Sequence, residues 1–175
     1  NTQLEQRQTY YIDSKRVHNI NSLDQWNTLC EWGMEDWIQR KKESGKVLQF
    51  GFSFHGAKEE FRKILDAYEW DFCQIQYNYS DENYQAGVEG LKRAAAKKMP
   101  VIIMEPLLGG KLATGLPPRA EAVFKSVDSE LSPAAWGLRW LFDQPEVTVI
   151  LSGMNNDDQV KDNLKTADSS RVGML

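Results

Sequence analysis

Short apolar runs alternate with helical patterns along the chain. The run from Val47 to Phe52 is β-prone, Ser53 to His55 form a corner after it, and a helical pattern begins at Gly56. Similar apolar runs begin near residues 72, 101 and 147, and each also precedes a helical pattern. Strands that alternate with helices in this way predict a parallel sheet, whose ligand-facing groups lie at the carboxyl ends of the strands.

Individual strand residues give finer expectations. Gly51 predicts a close approach of another backbone to its strand. Gln74 and Gln76 share one face of the strand at residues 71–77, and buried glutamines need polar partners. The run VIIM from Val101 is typical of a strand covered on both faces. The six tryptophans are expected in the core rather than in a binding site.

Capping residues predict where several helices begin and end. Residues 2–9 read as the end of a polar helix, and residues 10–18 as a strand, although its Asp-Ser-Lys-Arg centre is unusual for a buried strand. Asn21-Ser22 predicts the start of a helix, and a second helix ends at Ser44-Gly45. Ser132-Pro133 supplies an N-cap and a first helical residue for a later helix.

Composition narrows the function classes. The chain has 175 residues, a formal net charge of -4, 41% apolar and 26% charged residues, as in an ordinary globular domain. This balance argues against a nucleic-acid or anionic-membrane surface, and no apolar run approaches the ~20 residues of a membrane-spanning helix. Cys30 and Cys73 lie far apart, which favours free thiols in a reducing, cytoplasmic setting. The polar N-terminus without Met indicates that the sequence is cut from a longer one.

A parallel sheet of this kind either closes as a barrel or stays open and doubly wound. No G-x-G-x-x-G follows any strand, which counts against a Rossmann domain. A barrel of eight β/α units needs ~250 residues. The predicted fold class is therefore α/β, of the (β/α)8 TIM-barrel type but incomplete.

Five stretches together carry a family resemblance over nearly the whole chain: GKVLQFGFSFHG, FCQIQYNYSDEN, VIIMEPLLGGKLA, SPAAWGLRWLFDQPEVTVILSGM and DDQVKDNL. In this order and spacing they resemble the carboxyl-terminal part of an aldo/keto reductase, and most of all the subgroup with a ferredoxin-like iron–sulfur tail. The resemblance implies that residues 1–175 form a single partial domain with about strands 4 to 8 of the barrel. Strands 1–3 and the iron–sulfur tail would lie outside the chain.

The family resemblance also implies an activity. Its members bind NADPH or NADH without a Rossmann fold and transfer hydride to the carbonyl of a small substrate. His18 matches the tetrad histidine that orients the carbonyl, and an imidazole can donate the hydrogen bond required. The tetrad Asp, Tyr and Lys belong to the first three strands, so we expect this chain alone to be inactive. The iron–sulfur cluster of the subgroup has no matching cysteines in residues 1–175, and no metal ligand is predicted here.

The cofactor-binding residues implied by the resemblance fall into three groups. Ser53 and Gln74 match the side chains that bind the nicotinamide carboxamide, and Met104 stands where many members have a stacking aromatic ring. The loop from Glu105 to Gly110 matches the loop over the pyrophosphate and includes Leu107 and Gly109, with the Glu105 side chain expected to turn away or to bind Lys111. The adenosine end is matched by Gly153, Asn155, Gln159, Asp162 and Asn163. Gln159 stands where the family often has Arg for a 2′-phosphate, which weakens a preference for NADP over NAD.

Two alternatives remain open. A non-catalytic truncated barrel module would expose its sheet edges and self-associate as a homo-oligomer through them. An unrelated phosphate-binding barrel would use Gly109-Gly110 and the helix start after Gly153. The second alternative leaves Gln74 and the QVKDN stretch unexplained.

Overall fold

The computed structural model describes residues 2–175 and contains one parallel sheet with helices between its strands. The strands are β1 (Ile12–Val17), β2 (Val47–Phe54), β3 (Phe72–Gln76), β4 (Val101–Met104) and β5 (Val149–Ile150). The helices are α1 (Thr2–Gln6), α2 (Leu23–Glu31), α3 (Met34–Glu43), α4 (Lys58–Ala67), α5 (Gly87–Ala96), α6 (Pro118–Val127), α7 (Pro133–Phe142) and α8 (Asp157–Ser169). A single 3-10 turn, Leu108–Gly110, follows β4.

The sheet has the order β1-β2-β3-β4-β5, and every neighbouring pair is parallel. The predicted α/β class and parallel sheet are therefore confirmed. β1 and β5 pair on one side only within residues 2–175, so the sheet is open and does not close into a barrel. The polar sequence of β1 follows from this place at the edge, where Asp13, Ser14 and Arg16 are exposed.

The side of the sheet that faces the helices is apolar and is buried at its centre. Phe50, Phe52 and Phe54 alternate along β2 and are all 0% exposed. Phe52 lies against Phe61 of α4 and against Trp70, with ring centroids 5.8 and 5.0 Å away. Aromatic packing of this kind adds to the area buried, so this side of the sheet forms the main core.

The opposite side of the sheet is polar at its centre and partly open. In β2 it carries Gly51 and Ser53, and the register places Gly51 beside Phe72 and Ser53 beside Gln74. The expected close approach at Gly51 is confirmed, since a Cβ there would lie 2.3 Å from the Phe72 carbonyl oxygen. The expectation that β4 is covered on both faces is wrong: Val101 and Ile103 are buried, but Ile102 and Met104 are partly exposed.

The predicted caps match the structure where side chains define them. Ser22 accepts a hydrogen bond from the Gln25 N–H at the start of α2, and Ser132 accepts one from the Ala135 N–H at the start of α7. The expectation that all tryptophans lie in the core is wrong for Trp32, which is 78% exposed at the end of α2. In residues 2–175 no helix is both long and apolar enough to cross a membrane.

Candidate functional site

The carboxyl ends of β1 and β2 are joined by a contact between His18 and Ser53. Ser53 is 0% exposed, and its Oγ lies 3.1 Å from the Nδ1 atom of His18. The same Oγ accepts a hydrogen bond of 2.9 Å from the Asn19 N–H, and the Ser53 carbonyl accepts one from the Ile20 N–H. The segment after β1 is thus held to β2 by both the side chain and the main chain of Ser53, while the His18 side chain remains exposed.

Gln74 and Met104 form the next contact across the sheet. The Gln74 amide donates to the Met104 thioether at 3.2 Å, and Gln74 is 5% exposed. One residue pair further, Gln76 donates to Asp81 at 3.0 Å and accepts from Gln85 at 3.1 Å. The expectation that these glutamines meet polar partners is confirmed for Gln76. Gln74 has the weaker sulfur acceptor of Met104 instead.

A cavity of about 660 Å³ opens at the carboxyl ends of β4 and β5. It is enclosed by the loop after β4, the loop after β5 and the first turns of α8. The lining includes every cofactor residue implied by the family resemblance except Ser53 and Gln74: Met104, Glu105, Leu107, Gly109, Gly153, Asn155, Gln159, Asp162 and Asn163. The volume lies within the range of small-molecule sites, ~300–1,000 Å³.

Backbone geometry shapes the loop after β4. Glu105, Leu108 and Gly109 all have left-handed φ angles of 50–62°. Glycine adopts this region without strain, and the two other residues are held there by turn hydrogen bonds, including Leu108 N–H to the Glu105 carbonyl. Within residues 2–175 Glu105 forms no ion pair, so the expected alternative of a bond to Lys111 is not observed. Glu105 is exposed and is one of the residues that line the cavity.

The start of α8 is fixed by its own side chains. Asn156 caps the helix by accepting from the Gln159 N–H at 2.9 Å, and the Gln159 side chain accepts in return from the Asn155 N–H at 2.8 Å. The backbone N–H groups of Gly153 and Met154 have no hydrogen-bond partner within residues 2–175. The mouth of the cavity therefore retains unpaired backbone donors next to a helix N-terminus, an arrangement suited to anions.

Two other predicted residues hold the wall of the cavity. Asp162 accepts a hydrogen bond of 2.7 Å from Ser132 Oγ, which ties α8 to the cap of α7. Asn163 donates to Ser152 Oγ at 2.9 Å and so ties α8 to the loop after β5. These two contacts position the wall of the cavity.

Among the residues of 2–175 that line the cavity, Glu105 and Asp162 are charged, and none is Lys or Arg. A phosphate in this cavity would therefore depend on backbone N–H groups rather than on a cation. No group of three or more His, Cys, Asp and Glu that could hold a metal ion occurs in residues 2–175.

Asn78 is a site residue that the sequence reasoning missed. It is 0% exposed, accepts hydrogen bonds from the Ser80 and Asp81 N–H groups, and donates to the Glu105 carbonyl at 3.2 Å. It therefore fixes the loop after β3 against the loop after β4. Its signal was present in the sequence, since Asn followed by Ser and Asp favours an Asx-type turn.

The two tyrosines at the end of β3, Tyr77 and Tyr79, are not among the residues that line the cavity. Tyr77 lies in the core with its ring 5.0 Å from Trp140, and burial raises its pKa to about 12, with Glu82 and Glu146 adding to the effect. Burial also raises the pKa of Tyr79. Burial therefore disfavours the ionised form of both hydroxyls.

The fold and site define an α/β protein with an open five-stranded parallel sheet and a cavity at the carboxyl ends of β4 and β5. The model of the aldo/keto reductase family matches residues 1–171. The chain belongs to the aldo/keto reductase family, a family of oxidoreductases. No curated protein matches it.

Solved structures of the same family share the fold. An aldo-keto reductase from Bacillus halodurans matches in its holo form with a TM-score of 0.77 over 97% of this chain, and in its apo form with 0.78 over 99%, both at 18% identity. An aldo/keto reductase from Klebsiella pneumoniae, solved in complex with NADP and acetate, matches with a TM-score of 0.73 and 19% identity over 97% of this chain. The chain spans only 57%, 62% and 58% of these three structures, in that order.

Proposed function

We propose that this chain forms the cofactor-binding part of an NAD(P)H-dependent reductase, with β1–β5 equivalent to strands 4 to 8 of the family barrel. The observation that carries the proposal is the cavity, because residues from three separate sequence segments converge on it. The Klebsiella pneumoniae relative was solved with NADP, which supports a nicotinamide dinucleotide as the ligand.

The described residues fit such a nucleotide in two ways. The cavity has unpaired backbone donors at Gly153 and Met154 for phosphate oxygens. Gln74 is hydrogen-bonded to Met104, which lines the cavity, and we assign to its amide the binding of the nicotinamide carboxamide. Ser53 has its hydroxyl occupied by His18 and Asn19, and a direct contact with the nucleotide requires those bonds to open.

The proposed reaction is reduction of a small carbonyl compound. The reduced nicotinamide supplies the hydride when bound. His18 is exposed at the carboxyl end of β1, where it donates a hydrogen bond to the carbonyl oxygen. The tetrad Asp, Tyr and Lys have no match in this chain, and we therefore expect no turnover from residues 1–175 alone. The iron–sulfur cluster of the resembling subgroup and a cytoplasmic location remain predictions.

The choice between the two nucleotides follows from charge. Asp162 belongs to the proposed adenosine end, where its charge repels the additional 2′-phosphate of NADPH, and no Lys or Arg of the lining within residues 2–175 offsets it. We therefore expect the cavity to bind NADH at least as tightly as NADPH.

Titration of the purified chain with NADH and NADPH tests the proposal, with tryptophan quenching as the readout. We expect saturable binding with a Kd on the order of micromolar, about 8 kcal/mol. Gly153→Asp places a carboxylate in the cavity, and a Cβ at Gly153 meets no atom within 4 Å. Its charge should weaken binding about tenfold, whereas the isosteric Gly153→Asn should leave it nearly unchanged. Absence of saturable binding by either nucleotide would refute the proposal.

A second candidate function, self-association, is favoured by the open edge at β5. Val149 and Leu151 are 44% and 42% exposed there, although both belong to or directly follow a strand. Sedimentation velocity over a range of concentrations tests this candidate. Val149→Lys should abolish any dimer because a charge blunts a sheet edge, and Val123→Lys on α6 is the control. A monomer at all concentrations contradicts it.

A further inference from the structure

The hydroxyl of Ser53 connects β2 directly to His18 and Asn19 in the segment that follows β1. It is wholly buried and has two neighbours within hydrogen-bond distance in residues 2–175, the Asn19 N–H at 2.9 Å and the Nδ1 atom of His18 at 3.1 Å. The protons of these three groups can be assigned one by one.

The Asn19 N–H is always a donor, so the Ser53 oxygen accepts from it. The hydroxyl has a single proton, and Nδ1 of His18 is the one acceptor that the described residues offer. If Nδ1 carried its own proton, the Ser53 proton would be buried without an acceptor, which is costly. The low-cost arrangement is therefore a Ser53 O–H that donates to an unprotonated Nδ1.

Backbone geometry holds this arrangement in place. Asn19 has a φ of 60°, in the left-handed region that Asn tolerates better than most residues. The next residue, Ile20, is buried and donates its N–H to the Ser53 carbonyl. Asn21 accepts from the His55 N–H at 2.7 Å and adds a third tie to the end of β2. The loop that carries His18 is thus fixed at consecutive points around Ser53.

We infer that Ser53 is a positioning residue that fixes His18 as its Nε2–H tautomer. The exposed side of the imidazole then presents an N–H donor, which is the form needed to bind a carbonyl oxygen. The catalytic meaning of this inference rests on the proposed function. Ser53 acts on the substrate only through His18.

Nitrogen-15 NMR of the histidine rings in the full 175-residue chain tests the inference directly. The chain has two histidines, so His55 serves as an internal reference. At a pH where both rings are neutral, we expect the Nε2–H tautomer of His18 to be at least tenfold more populated than the Nδ1–H tautomer. Ser53→Ala should shift that ratio at least fivefold toward a mixture and leave His55 unchanged. Ser53→Thr keeps the hydroxyl and should restore the wild-type ratio.

The outcome is decided even if the Ser53 variants fold poorly, because the wild-type spectrum alone reports the tautomer. A predominant Nδ1–H form, or an equal mixture, overturns the inference, as does a Ser53→Ala variant that keeps the wild-type ratio. The measurement needs no nucleotide. If neither NADH nor NADPH binds, the proposed function is refuted but the tautomer assignment stands. If a nucleotide binds but His18 is not the Nε2–H tautomer, the proposed function stands and the inference about Ser53 is refuted.

Discussion

Replacement of Gly51 by Ala tests the packing that brings the site strands together. Gly51 lies opposite Phe72 in the β2–β3 pair. A Cβ at residue 51 would lie 2.3 Å from the Phe72 carbonyl oxygen and 2.6 Å from its ring. Ordinary contacts between such atoms are ~3.3–3.6 Å, so the two strands would have to separate by about 1 Å.

The size of the effect follows from two opposing terms. Overpacking of a tight site costs ~1–3 kcal/mol, and the upper end applies here because a backbone carbonyl cannot rotate away. Loss of the glycine's freedom in the unfolded chain returns about 0.5–1 kcal/mol. We therefore expect Gly51→Ala to lower the free energy of unfolding by about 2 kcal/mol, which for a chain of this size lowers Tm by ~4–8 °C.

Thermal and urea unfolding, followed by circular dichroism, measure this loss. Gly153→Ala is the matched control, because the same methyl group there meets no atom within 4 Å and the residue has no left-handed φ. The control should unfold within ~0.5 kcal/mol of wild type. Equal stability of the two variants would refute the argument that the Gly51–Phe72 approach is tight.

Two further predictions concern charge. Gln159→Arg adds a cation to a cavity wall that has none, and it should tighten NADPH binding five- to tenfold while changing NADH binding less than twofold. Titration with both nucleotides measures the effect, and Gln159→Met is the uncharged control. An equal gain in affinity for both nucleotides would contradict the prediction. Hydrogen bonds from Lys97 and then Arg93 lower the pKa of Asp66, so the stability from these contacts is present above the ordinary carboxyl pKa and is lost as pH falls through the lowered one. Asp66→Asn should therefore lower the free energy of unfolding by less than about 1 kcal/mol near neutral pH, because these ion pairs are exposed, and should leave it unchanged in strong acid. Urea unfolding at several pH values measures this difference. A loss of stability that persists in acid would rule the explanation out.

The order and type of the elements could be predicted because their signals are local. The alternation of apolar strands with capped helices is written in residues such as Ser22 and Ser132, which act within one helical turn. Burial was harder to predict, since it depends on which elements lie alongside. Trp32 and Ile102 are apolar in sequence, but one is exposed at a helix end and the other lies on the open side of the sheet.

The residues of the site were likewise predictable where their signals are local and not where they depend on distant segments. The residues of the cavity follow from the family resemblance, since Gly109, Gly153 and Asn163 belong to contiguous motifs that the structure brings to one wall. The contact of Ser53 with His18 and that of Asn78 with the Glu105 carbonyl could not be predicted, because each joins segments far apart in the chain. Alternation places Ser53 on a strand face, but only the register of β1 against β2 shows which group its hydroxyl meets.

The two faces of β2 therefore have different roles: one packs the core, and the other carries residues of the proposed site. Phe50, Phe52 and Phe54 of β2 point into the helix-covered core, while Gly51 and Ser53 between them face the other side. A shift of β2 by one residue would exchange these two sets, burying the site residues among the helices and exposing three aromatic rings. The phenylalanines thus fix the register that places Ser53 beside His18, and the tight fit of Gly51 against Phe72 resists any slip. The position of the site is a consequence of how the core packs.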